Sequence, residues 1–287
     1  MKNLIKKSVI YLIAALIALA GYFSELNEAN KQIEDIGVKK AGNIRVHFLD
    51  VGQGDCTLIE LPDDKIMLID AGNKENGDDI VSYIKMLGKD KIDYLIATHP
   101  HSDHIGGMER VVNKFDIGNV YMPKAIHNIS IYKDLLKAID NKGLYITTAK
   151  AGVEIYSDDI TKIEILSPTR ETYEEMNNYS AVIRLTYKNS SFLFMGDAEE
   201  LVEDDIINKV QKTDVLKVGH HGSTTSSSRR FINRVNPDYA IISCGVDNDY
   251  GHPHAETLSI LKNSTVLRTD ELGTIIITSD GETITYE

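Results

Sequence analysis

From position 44 onward, apolar residues fall in short β-branched runs broken by Gly, Asn and Asp, which is the pattern of strands and tight turns. Positions 44–49, 56–61 and 65–69 read as three successive strands. Helical spacing follows at 78–87 through Ile80, Ile84 and Leu87. A strand is then predicted at 93–98, a helix at 105–115, a strand at 119–122, a helix at 132–139 and a strand at 144–147. In the second half, strands are predicted at 162–166, 181–187 and 192–195. An amphipathic helix at 199–210 turns Leu201, Val202, Ile206, Ile207 and Val210 inward. After it come a strand at 215–218, a helix at 226–235 ended by Pro237, a strand at 239–243, a helix at 255–261 and a hairpin at 274–286 turning at Asp280-Gly281. Early strands form a meander, later ones alternate with helices, and no Pro- or Gly-rich linker divides them. The pattern predicts one α/β domain over 43–287, with two sheets packed together and helices outside.

Residues 1–23 differ: Lys2, Lys6 and Lys7 precede an apolar run from Val9 to Phe23, with Ala18 and Ala20 before Gly21. This is the pattern of a signal peptide, or of an uncleaved N-terminal anchor. The run, roughly 15 residues, is short for a membrane span. A secreted or extracellular location, with anchoring as the variant, is the expectation, and 24–42 reads as a polar linker. Cys56 and Cys244 sit in apolar strand-like stretches and are expected as buried thiols, with one disulfide as the alternative. The net charge of −12 excludes a generic basic nucleic-acid binder. Lys217, Arg229, Arg230 and Arg234 offer a local basic patch, unless the helix carrying the three arginines is simply solvated.

Candidate chemistry begins at His99-Pro100-His101-Ser102-Asp103-His104, just after an apolar strand. Neutral imidazole and carboxylate are ligands for zinc, iron and manganese. His99 and His101 can face one cation, and Asp103 and His104 a second. Asp197, the pair His220-His221 and the pair His252/His254 each follow another apolar strand, so all can converge at one sheet edge. Seven of the nine histidines fall in these clusters, a concentration that packing does not explain. Taken singly, Asp197 also fits a helix N-cap, and His252 and His254 fit ordinary hydrogen-bonding roles.

The run His99-x-His101-x-Asp103-His104 resembles the signature of the metallo-β-lactamase fold superfamily, and Asp70, in Leu68-Ile69-Asp70-Ala71-Gly72, resembles its first motif. More specifically, the blocks Phe48–Asp55, Asn177-Asn178-x-Ser180, Phe194-x-Gly196-Asp197-Ala198-Glu199, Lys217–Ser223 and Tyr250–His254 are similar to the hydrolase domain of ComEC-type competence proteins. The resemblance spans positions 44–270. It implies an αββα sandwich of two packed mixed sheets, two divalent metal ions (Zn or Mn) at its edge, and a phosphodiester substrate, DNA among them. Two departures stand out. The chain carries no multi-span channel, and no His lies between His127 and His220, so the usual third-motif His is replaced by Asn178 or Ser180. One site is therefore expected to be weak or to prefer manganese.

The expected ligands are His99, His101, Asp103, His104, Asp197 and His220, with Asp197 and a hydroxide shared between two cations. Asp103 orients the nucleophile, and one of His220, His221 and His254 serves the leaving oxygen or the phosphate. Asn178, Ser180, Ser223 and His252 are candidate substrate contacts, although Ser223 equally fits a helix cap. Asp50, Asp55 and Asp70 are candidates to hold ligand imidazoles from behind, or Asp50 and Asp55 belong to a plain turn. Three functions follow: a monomeric phosphodiesterase or DNase, a hydrolase of small esters such as phosphorylcholine esters or lactones, or a non-enzymatic extracellular protein stabilised by metal.

Overall fold

The structure, a computed structural model, describes residues Gly42–Glu287. The leader or anchor expected at 1–23, and the linker expected at 24–42 apart from its last residue, lie outside the described residues. Two mixed sheets form the centre. One comprises β1 (Ile44–Phe48), β2 (Thr57–Glu60), β3 (Ile66–Ile69), β4 (Lys91–Ile96), β5 (Asp116–Met122), β6 (Ile146–Thr148), β14 (Ile275–Ser279) and β15 (Ile284–Tyr286). Their order is β15-β14-β1-β2-β3-β4-β5-β6. The other comprises β7 (Glu154–Ser157), β8 (Thr161–Ser167), β9 (Val182–Tyr187), β10 (Ser190–Phe194), β11 (Val215–Lys217), β12 (Tyr239–Ile242) and β13 (Thr265–Arg268). These run in the order β13-β12-β11-β10-β9-β8-β7. In each sheet an antiparallel meander gives way to parallel strands, at β3-β4-β5-β6 and at β10-β11-β12-β13.

Alternation decides the layers. Along β1 to β3, Val46, Phe48, Ile59, Met67 and Ile69 face the opposite sheet and meet Ile183, Phe192 and Phe194. Their neighbours Leu58, Ile66 and Leu68 face a helical layer. That layer contains α1 (Gly77–Met86), α2 (Ser102–Ile105), α3 (Met108–Lys114) and α4 (Ser130–Asn141). On the far side α5 (Glu200–Ile206), α6 (Arg229–Val235) and α7 (Ala255–Ile260) cover the second sheet through Val202, Ile206, Phe231, Ile232 and Leu258. A short α8 (Thr269–Leu272) precedes the final hairpin. Three apolar layers between four structural ones make the αββα sandwich. Central strands such as β3, β12 and β14 read as nearly unbroken apolar runs because both faces are buried.

The structure departs from the predicted elements at identifiable places. β7 and β13 are edge strands with a single buried apolar residue each, too little pattern to mark them. The helix expected at 105–115 is broken at Gly106-Gly107. A Cβ at Gly106 would lie 2.4 Å from the Lys74 backbone, and one at Gly107 2.4 Å from the Ala71 carbonyl oxygen, so the close approach of these segments requires glycine. Cys56 and Cys244 are both free and buried, as expected.

The helix expected from 226 starts instead at Arg229, capped by Ser228, whose Oγ accepts the Phe231 N–H. Ser227 and Ser228 donate their backbone N–H groups to the Glu203 carboxylate of α5. Burial outweighs these donors and pushes the Glu203 carboxyl up to about 7, above its ordinary value of 4.5. A carboxyl raised on folding contributes stability that is full below its unfolded value and is lost as pH rises through the folded one. Between about pH 5 and 8, Glu203→Gln should therefore gain up to about 3 kcal/mol relative to the parent chain. Urea unfolding of both proteins across that range checks it, and a pH-independent difference contradicts it.

Candidate metal centre

Parallel strands present their carboxyl ends at one edge of the sandwich, the usual place for ligands in such sheets. Asp70 follows β3, His99 and His101 follow β4, and Asp103 and His104 lie on α2. Asp197 follows β10, His220 and His221 follow β11, and His252 follows β12. Asp70, His220 and His221 are left-handed, with φ of 59°, 50° and 53°. Each such residue costs roughly 1–2 kcal/mol, strain that a packed site can hold in place.

Two donor groups share one carboxylate. One ligand atom each from Asp103, His104, Asp197 and His221 lies within 4.8 Å of the others, and the same holds for His99, His101 and Asp197. Asp197 Oδ1 is 3.2 Å from His104 Nε2 and 3.6 Å from His221 Nε2, while its Oδ2 is 3.8 Å from His99 Nε2 and 3.7 Å from His220 Nε2. His99 Nε2 and His101 Nδ1 are 3.0 Å apart, and Asp103 Oδ2 is 3.3 Å from His221 Nε2.

Fixing contacts stand behind most of the donors. His104 Nδ1–H donates to Asp70 Oδ2 at 2.7 Å, and Asp70 accepts both the N–H and the hydroxyl of Thr98, at 2.8 and 2.6 Å. His221 Nδ1–H donates to the Ser243 carbonyl at 3.0 Å and lies 3.3 Å from Asp55 Oδ1. These contacts leave both Nε2 atoms facing the cluster. Ser180 Oγ accepts the Asp197 N–H at 3.1 Å and lies 3.4 Å from His99 Nδ1. The Asp55 N–H donates to the Asp103 carbonyl at 3.1 Å, a closeness that needs Gly54, where a Cβ would come within 2.5 Å of that oxygen.

The charges explain what the cluster requires. Burial pushes His99 well below the ordinary imidazole value, with His104 adding to the effect, so His99 is neutral. Burial also opposes charge on His104 and His221, but the carboxylates prevail. Asp197, Asp103 and Asp70 hold His104 well above the usual range, and Asp197 and Asp55 bring His221 to about 10. Desolvation would raise Asp103, yet His104 and His221 hold it at about 2. Buried carboxylates thus demand positive charge at this point. His104 Nε2, His221 Nε2 and Asp197 Oδ1 are buried with no hydrogen-bond partner, an exception that calls for a cause. Divalent cations between these nitrogens and oxygens satisfy both needs, and the donor set fits zinc or manganese chemistry.

A cleft of about 320 Å³ opens over Asp103, Asp197 and His221, lined also by Gln53, His127, Asn177, Tyr250 and His252. Several expected residues are placed elsewhere. His254 sits at the N-cap of α7, its Nδ1 accepting the Thr224 N–H and its Nε2 3.3 Å from the Tyr250 carbonyl oxygen, so its ring is committed away from the cluster. Asn178 is bonded to Glu199, and the adjacent Asn177 faces the cleft instead. Ser180 supports His99 and Asp197 from below. Ser223 is buried and accepts from the Thr225 N–H and hydroxyl. Asp50 accepts the Gly52 N–H in an exposed turn. The basic patch does not form: Lys217 is buried against Asp55, Arg230 pairs with Asp204, and Arg234 donates to the Val210 carbonyl. Gln53, Asn177 and Tyr250 were missed as cleft residues, although each lies inside a block that carries the resemblance.

Fold and donor set define a metal-dependent hydrolase of the metallo-β-lactamase fold. The chain belongs to the Metallo-beta-lactamase superfamily, whose profile matches residues 49–246. It is 32% identical over 251 residues to ComE operon protein 3 of Bacillus subtilis, which covers 80% of this chain and 32% of that protein. It is 29% identical over 245 residues to Competence protein ComA of Neisseria gonorrhoeae, covering 83% and 31%. The chain therefore spans about a third of the length of these relatives. Among solved structures, the metallo-beta-lactamase fold protein YhfI from Bacillus subtilis superposes with a TM-score of 0.56 at 12% identity, covering 83% of this chain and all of that one, and supports the fold. Among the described residues, no helix is long and apolar enough to cross a membrane.

Proposed function

We propose that this chain is a phosphodiesterase that acts on DNA or another polynucleotide with two divalent cations, zinc or manganese. The observation that carries the reading is Asp197, whose two oxygens face two separate donor groups on the floor of one open cleft. His99, His101 and Asp197 would hold one cation, with His220 alongside. Asp103, His104, Asp197 and His221 would hold the other. Bound there, the cations supply an activated water near neutral pH and offset the negative charge that develops on a phosphoryl group. The names of the competence relatives favour a nucleic-acid substrate and a place at the cell surface or membrane.

The protein groups do the positioning. Asp70 and Ser243 hold His104 and His221 in single tautomers, and Ser180 fixes Asp197. His252, in the cleft, takes the place expected of His254 as a hydrogen-bond donor to the substrate. Burial and the neighbouring imidazoles lower it to about 4, so it is neutral at pH 7. Gln53 Nε2 lies 3.4 Å from its Nδ1, which leaves the ring proton on Nε2. A neutral imidazole in this tautomer donates a hydrogen bond, not its proton, to a phosphate oxygen.

Purified protein supplied with Mn²⁺ or Zn²⁺ should cleave bis-p-nitrophenyl phosphate and DNA. His101→Ala should lower both rates at least as far as the roughly 10–100-fold typical of losing an outer-shell partner. Cleavage of small esters without DNA would favour the small-ester enzyme. Two bound metals with no hydrolysis would favour the non-enzymatic protein.

A further inference from the structure

We propose that a second cleft, adjoining the metal centre, is the groove that binds the phosphate backbone of a single-stranded polynucleotide. The inference rests on the phosphodiesterase reading and names where such a substrate lies. The cleft encloses about 500 Å³ and is lined by Lys124, Lys150, Arg170, Glu171 and Tyr179, among others. Three cations against one carboxylate stand out in a chain with a net charge of −12. Lys124 and Lys150 are exposed, and no hydrogen bond or ion pair engages either ammonium among the described residues. Arg170 binds Asp205 through Nε and Nη2, both at 2.7 Å, which leaves its Nη1 free to donate.

Two segments line both clefts. The loop after β5 places Lys124 in this cleft and His127 in the metal cleft, where the His127 ring centroid is 6.0 Å from that of His101. The 3₁₀ turn Met176–Tyr179 places Asn177 in the metal cleft and Tyr179 in this one. Three residues of chain span at most about 11 Å, so a substrate longer than one phosphodiester reaches both. Each cleft also carries a tyrosine ring. Tyr179 is half-buried with Tyr173 edge-on at 5.1 Å, and Tyr250 is 68% exposed and stacked on His252 at 5.6 Å. Free cations tracking a backbone, with rings for unpaired bases to stack on, suit a single strand; a duplex hides its base faces.

The test measures binding apart from turnover. A fluorescent phosphorothioate oligodeoxynucleotide of about 20 nucleotides is titrated in Mn²⁺ buffer and followed by anisotropy. Lys124→Glu with Lys150→Glu should raise Kd roughly tenfold or more and lower the slope of log Kd against log salt by about 1.4, two phosphate contacts at about 0.7 each. Hydrolysis of bis-p-nitrophenyl phosphate should be unchanged. The control pair Lys133→Glu with Lys137→Glu makes the same charge change on exposed positions of α4 and should leave Kd as it was. Unchanged Kd in the Lys124/Lys150 variant, equal weakening by the control pair, or tighter binding of duplex than of single strand overturns the groove. A parent chain that hydrolyses no ester but binds the strand through these lysines rejects the phosphodiesterase reading and supports the groove. A parent chain that hydrolyses the small diester but binds no strand does the reverse.

Discussion

Asp197→Asn is expected to remove both cations at once and to lower phosphodiester hydrolysis by roughly 10³-fold or more. The two donor groups meet only in this residue: Oδ1 faces His104 and His221, while Oδ2 faces His99 and His220. An amide keeps the shape and the backbone contact to Ser180, but it loses the charge and turns one oxygen into a donor nitrogen that repels a cation. Single substitutions in the separate groups give the comparison. Asp103→Asn should empty one site and leave the other, and His101→Ala should do the opposite. Metal content by mass spectrometry therefore reads about two for the parent, about one for each of these variants and about none for Asp197→Asn. A folded Asp197→Asn protein that retains both metals, or activity within about tenfold of the parent, would remove the shared carboxylate from the account.

How much of this was legible in the chain depended on distance along it. The His99–His104 run declares itself because its donors are consecutive and follow an apolar strand. Asp197 and His220-His221 were legible for the same reason, each at the end of a strand that ought to be parallel. Ring direction was not legible. Asn177 and Asn178 are neighbours on a 3₁₀ turn, which rotates successive side chains by about 120°, so Asn177 lines the cleft while Asn178 is buried, though both reach Glu199. His252 and His254 share a loop, yet the second sits at the N-cap position of α7 with its ring held by the Thr224 N–H. His220 and His221 both take left-handed backbone, a conformation no residue pattern signals for histidine. Apart from the edge strands β7 and β13 the strands were found, but the layers were not fixed, because burial on both faces weakens the alternation that would say which side meets helices. Lys217 looked like part of a surface patch because nothing local distinguishes an exposed lysine from one whose partner lies 162 residues away.

That lysine carries the second large expectation. Lys217, at the end of β11, donates to Asp55 Oδ2 at 2.8 Å and to the Val218 carbonyl at 3.2 Å, and the two charged side chains are only 1% and 6% exposed. Asp55 is held below the usual carboxylate range against burial by Lys217 and His221. Lys217→Met leaves that carboxylate buried without its cation. The expected loss is about 3–5 kcal/mol, or roughly 6–20 °C in Tm for a domain of this size. Replacing both partners with apolar residues, as in Lys217→Met with Asp55→Leu, should restore most of the stability, since a well-packed apolar pair often matches a buried ion pair. It should not restore the metal centre. Without Asp55, His221 loses a contact to its Nδ1, and affinity for the second cation should fall roughly 10–100-fold. Urea unfolding and metal titration of the single and double variants therefore separate two roles of one carboxylate. If Lys217→Met costs less than about 1 kcal/mol, or the double variant is as unstable as the single, the pair is not the buried bridge between strand and site that its geometry describes.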